Sequence, residues 1–257
     1  MAILVTHACR IAFGLTVGDI ISSVFEHSRA RFRYVEKEPP SSAEWHEVRD
    51  MVQYLKERLN INENITIVER KNYEGDAAVN VESFFSGKSL LYISSDFMKR
   101  SKGEKEFILA HELSHIKHGD VRRTRFYSVT STAVVSVCAA VALSLLFPTT
   151  LVIGAVTLAA LITRNVACSF FEQRVELRAD KEGFSVCSEL GRRGAITFFE
   201  KCAAEKEKIS VMKNVIFYAA LLLRSGIYHP PESTRIQALH SQRHVQEAGQ
   251  LQRASAY

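Results

Sequence analysis

Paired cysteines are missing from this chain. Its five cysteines, at positions 9, 138, 168, 187 and 202, form an odd set without a single Cys-x-x-Cys. That excludes a disulfide framework and a cysteine-built zinc cluster, and a reducing compartment is expected. Basic runs interleaved with aromatics are also absent. Lys and Arg number 33 against 28 Asp and Glu, a net charge of +5, too mild and too scattered for a nucleic-acid partner. The first ten residues, MAILVTHACR, lack the basic opening of a secretory signal, and Arg10 and Asp19 interrupt the apolar stretch that follows; no cleaved signal is predicted. Low hydrophobicity, the mark of disorder, is absent too. At 47% hydrophobic over 257 residues, the chain has material for one large core.

What is present alternates short patterned segments with one long uncharged run. After Pro39-Pro40-Ser41-Ser42, the residues Val48, Met51, Val52, Leu55 and Leu59 recur at helical spacing, which predicts a packing helix. Residues 61–68, 77–84 and 89–94 are rich in β-branched and aromatic side chains and are separated by Gly75-Asp76 and Ser86-Gly87; they predict a small sheet. Ser101 and Glu104 have capping-box spacing, and Gly119 stands where a left-handed cap would close a helix ending near His118.

Between Arg125 and Arg164 no position carries a charge or a histidine. Residues 128–147 alone approach the ~20 that a membrane helix needs. Pro148-Thr149-Thr150 reads as a turn, and a shorter apolar arm runs from Leu151 to Thr163. The expectation is an apolar hairpin, 126–163, inserted into a single domain that spans 1–257. It crosses a membrane, re-enters it, or packs in a soluble core. Residues 215–223 are too short to span and are expected as a core helix.

The chemistry is concentrated in Ala110-His111-Glu112-Leu113-Ser114-His115. Two histidines four apart share a helical face, as two ligands of a tetrahedral zinc require, and the intervening glutamate can reach the water that such an ion activates. A third ligand must come from elsewhere. The pattern in which a third histidine follows on the same segment fails, because His118 stands where its glycine belongs and Val121 where its histidine belongs. His118 itself lies a further turn along. A second helix offers Glu176 as ligand, with Asp180 one turn later to hold the far nitrogen of a ligand histidine. Taken alone, that Glu-x-x-x-Asp is equally the pattern of a solvated surface helix.

Taken in order, HELSHIKHGD, an apolar stretch, FFEQRVELRADKEG and YHPPESTRIQAL resemble the integral-membrane gluzincins that include HtpX and the CaaX prenyl endopeptidases. The resemblance covers roughly residues 61–239. It implies an α+β, mainly helical, zincin-like metalloprotease domain with a small β-sheet, binding one Zn2+ per chain through His111, His115 and Glu176. Glu112 becomes the catalytic acid and base, Asp180 supports a ligand from behind, and His229 and Arg235 lie near the site as candidates for oxyanion stabilisation. The implied substrate is a protein or peptide at a lipid bilayer. Two features depart from the family: no convincing span precedes the catalytic helix, and its Asn-Ala element appears only as Asn80-Val81. The basic residues flanking the apolar run, among them Arg122, Arg123, Arg125, Arg164, Arg174 and Arg178, place the catalytic face in the cytoplasm. Two other readings stay open, a catalytically silent membrane scaffold and a soluble zinc protease whose hairpin binds a partner.

Overall fold

The computed structural model describes residues 41–70, 77–81, 89–124, 126–127, 130–131, 133–134, 137, 150–210 and 230–254. His229 and the expected helix at 215–223 lie outside them. The described chain is mainly helical, with one small sheet. Helix α1 spans Ala43–Leu59, strand β1 Ile65–Arg70, β2 Ala77–Val81 and β3 Ser89–Ser94. They are followed by the short α2 (Ser95–Met98), then α3 (Lys102–His118), α4 (Thr150–Val186), α5 (Glu189–Ser210) and α6 (Glu232–Ala254). An α+β, mainly helical architecture is thus present.

Helix α1 buries the stripe read from its periodicity, Val48, Met51, Val52, Leu55 and Leu59, with Trp45 added one turn earlier. It stops at Asn60, which takes a left-handed conformation (φ 60°) and donates its N–H to the carbonyls of Glu57 and Lys56. Asparagine tolerates that conformation better than most residues.

The sheet order is β1-β3-β2, with β1 parallel and β2 antiparallel to β3. All six residues of the central strand are buried, as an unbroken Leu-Leu-Tyr-Ile run between two covered faces demands. Leu91 and Ile93 enter the main core, whereas Leu90 and Tyr92 meet Val68 on the opposite face. Strand β1 begins at Ile65 rather than at Ile61, because pairing starts where Ile65 meets Ser89, the first residue of β3. Glu63 ends up beside that start, accepting a hydrogen bond from Ser89 Oγ at 3.0 Å.

Helix α3 forms with the capping box expected. Ser101 accepts from the Glu104 N–H while Glu104 Oε2 accepts from the Ser101 N–H, and Gly119 closes the helix at φ 63°. The Glu104 carboxylate also takes Lys201 Nζ of α5 at 2.7 Å. Packing of α3 on α5 is close enough to touch backbones. A β-carbon on Gly194 would fall 2.2 Å from the carbonyl carbon of Gly103, and one on Gly103 would fall 2.4 Å from Leu190 O. Phe107 of α3 then meets Phe199 of α5 edge to face, 5.5 Å between ring centres, a favoured aromatic geometry.

The chain divides into two compact units. One comprises Glu36–Val121, Gln173–Met212 and His229–Tyr257; the described part of the other falls within Arg122–Glu172. In this second unit the ring of Tyr127 lies 4.2 Å from that of Phe171, and Ser131 Oγ lies 3.6 Å from Cys168 Sγ. The partner number falls as the first rises, so the two segments run antiparallel. Phe126, Val134, Val137, Val166 and Phe170 are exposed. Among the described residues no helix is long and apolar enough to cross a membrane. Helix α4 runs without interruption past Arg164 to Val186, so the second apolar arm and Glu176-Leu177-Arg178-Ala179-Asp180 belong to one helix.

Candidate metal centre

The two imidazoles leave α3 one turn apart. Their Nε2 atoms lie 3.0 Å from each other, and the Glu176 carboxylate of α4 presents Oε2 to His111 Nε2 and Oε1 to His115 Nε2, each at 3.5 Å. All three ligand atoms fall within 4.8 Å of one another. Around a tetrahedral zinc with bonds of 2.0–2.2 Å, neighbouring donors stand about 3.3 Å apart. The donor set therefore fits that ion in both chemistry and spacing.

Each histidine is also held from behind. His111 Nδ1 lies 2.9 Å from Asp180 Oδ1, and His115 Nδ1 lies 2.9 Å from Asp120 Oδ2. A carboxylate at Nδ1 favours the tautomer whose lone pair is on Nε2, the nitrogen turned toward Glu176. Asp180 is itself gripped by Arg235 of α6, whose Nε and terminal nitrogen donate to Oδ2 and Oδ1, both at 2.6 Å. The guanidinium also stacks 4.3 Å over the Phe199 ring and reaches 3.6 Å from Glu176 Oε2.

This cluster is buried, and its charges are set by their neighbours. Burial opposes protonation of His111, but Asp180 and Glu176 outweigh it and hold the imidazole pKa up to about 10. Burial would raise Asp180, yet hydrogen bonds from His111 and Arg235 hold its carboxyl below the usual range. Asp120 is likewise pushed up by burial and brought lower still by His115 and Arg178. A site that holds a proton this firmly is a site with a strong field for cations.

His111, His115, Glu176 and Asp180 are thus brought together, and Arg235 with them. Arg235 spends its two-pronged face on Asp180. Glu112 is half-buried on α3 between the two histidines. His118 stands apart, its Nε2 2.8 Å from Glu182 Oε2, a carboxylate that also accepts from Ser114 Oγ at 2.6 Å. Sequence reasoning passed over Asp120. The signal was the Gly119-Asp120 pair, where a left-handed glycine turns the chain back beneath the histidine it has just passed.

Two histidines and a glutamate on facing helices, each imidazole backed by a carboxylate, define a metallopeptidase type of site. Residues 47–243 match the sequence model of peptidase family M48. The chain belongs to peptidase family M48, whose members are metallopeptidases that generally use zinc. No curated protein sequence matches the chain.

Proposed function

We propose that this chain is a zinc-dependent endopeptidase working at a membrane surface, with one Zn2+ held by His111, His115 and Glu176. The observation that carries the reading is the trio of converging donors whose two imidazoles are each fixed from behind. When bound, zinc supplies a Lewis acid that polarises the scissile carbonyl and eases ionisation of water. Glu112 takes a proton from the attacking water and passes it to the leaving amine. Asp180 and Arg235 keep His111 in register, so Arg235 acts through Asp180 more than on the substrate. Strand β2 is an edge of the sheet beside α3; an extended peptide adds there through main-chain hydrogen bonds, passing Asn80 and Val81.

The membrane part of the reading is supported by the uncharged run 126–163 and by the exposed apolar residues of the second unit. The flanking arginines favour a cytoplasmic catalytic face.

The test pairs a metal analysis with peptide hydrolysis for wild type and Glu112→Gln. Zinc near one per chain in both, with hydrolysis lost only in the variant, is the expected result. Hydrolysis retained by Glu112→Gln would remove the role given to that residue.

A further inference from the structure

The two ligand histidines are supported by similar chains of side chains, and only one of these uses residues marked out above. His111 leads to Asp180 and then to Arg235. His115 leads to Asp120, and Asp120 Oδ2 accepts in turn from a terminal nitrogen of Arg178 on α4. Asp120 is buried, while Arg178 is about one-third exposed, 34% for its side chain.

We infer that Asp120, tied down by Arg178, is the positioning residue for His115, fixing its tautomer and ring orientation so that Nε2 faces His111 and Glu176. Gly119 makes this possible, since its positive φ reverses the chain and delivers the next residue under His115. The helix that supplies Glu176 supplies Arg178 two residues later, so a single segment presents the carboxylate donor and anchors the carboxylate behind the second imidazole. The two chains of side chains differ in grip. Asp180 engages Arg235 through both oxygens, whereas Asp120 meets His115 and Arg178 through the same oxygen. Among the described residues, Asp120 Oδ1 and Arg178 Nε have no hydrogen-bond partner. The His115 support is therefore the looser of the two, and the one more open to disturbance by substitution.

This inference rests on the zinc reading for one of its readouts and is independent of it for the other. Zinc affinity is measured by chelator competition on the full chain in detergent. The His115 tautomer is read from long-range 15N–1H spectra of the metal-free protein. Asp120→Ala should weaken zinc 10- to 100-fold and convert His115 from one Nδ1–H tautomer to a mixture. Asp120→Asn keeps an oxygen acceptor and should recover part of both. Arg178→Gln should move both readouts the same way by less, and it decides the matter if Asp120→Ala fails to fold. His118→Ala, whose imidazole meets Glu182, should move neither. An unchanged His115 tautomer with zinc affinity within about twofold of wild type in the folded Asp120 and Arg178 variants would overturn the inference. If wild type binds no zinc, the zinc reading fails, and the metal-free spectra still decide for or against Asp120.

Discussion

Gly183 lies against the backbone of His111: a β-carbon there would come 3.0 Å from the His111 nitrogen and 3.2 Å from the carbonyl carbon of Ala110. Helices α3 and α4 thus meet main chain to main chain just behind the first ligand. That closeness allows a carboxylate from one helix to reach imidazoles on the other.

Gly183→Ala should therefore push the helices apart by a few tenths of an ångström. The expected cost is about 1–3 kcal/mol of stability, with weaker zinc binding alongside. Thermal unfolding and chelator competition measure the two; a variant as stable and as tight as wild type would show that the contact is slack.

Arg235→Ala strips a buried carboxylate of its partner. Breaking such a pair from one side costs about 3–5 kcal/mol, so the denaturation midpoint should fall steeply. Combining it with Asp180→Asn should cost less than the two single changes added together, because the charge left stranded by the first is removed by the second. Strict additivity would mean that the two side chains act separately.

Acidity should set how much zinc stabilises the fold. In the metal-free protein His111 is raised from 6.5 to about 10, so its proton contributes stability that is complete below about pH 6.5 and is lost as pH rises through about 10. Asp180 and Asp120 are lowered, and their contribution is present above their ordinary value of 3.8 and lost as pH falls below it. Zinc must displace the His111 proton. The rise in melting temperature on adding micromolar zinc should accordingly grow between about pH 6.5 and 9. A rise that shrinks over that range would contradict the assignment of His111 as a ligand.

The membrane reading predicts resistance to alkaline carbonate, because an uncharged run of this length is costly to expose to water. A cysteine placed at Thr149 should label from the side opposite to cysteines placed near Arg122 and Arg174 if the run spans. Protection of Thr149 from both sides would indicate a re-entrant segment. Complete release by carbonate would remove the membrane from the proposal and leave a zinc peptidase whose apolar segment packs against protein.

Features governed by neighbours along the chain were legible in the sequence. The buried stripe of α1, the Ser101-Glu104 capping box, the Gly119 cap and the helical spacing of His111 with His115 and of Glu176 with Asp180 all follow from one period of 3.6 residues. Features that depend on another segment were hidden. Strand β1 starts where β3 gives it a partner, so Ile61 to Asn64 could look like strand without being paired. Arg235 looked like a candidate for meeting charge in the substrate, because nothing local reveals that Asp180 occupies its guanidinium. Arg178 was one of several basic residues flanking an apolar run. Its partner lies 58 positions away, and only the reversal at Gly119 aims Asp120 at it. Calls on His229 and on residues 138–149 fall outside the described chain.

The contact between Asp120 and Arg178 also closes a chain loop, since the whole uncharged run lies between them in sequence. The entropy of closing a flexible loop grows only logarithmically, about 0.6 kcal/mol for each doubling of length. The metal centre is therefore nearly indifferent to how many residues the intervening segment contains. Lengthening, shortening or exchanging that segment over evolutionary time would alter where the enzyme resides and what it meets there, while the two ends stay pinned beside His115 and the chemistry carries on unchanged.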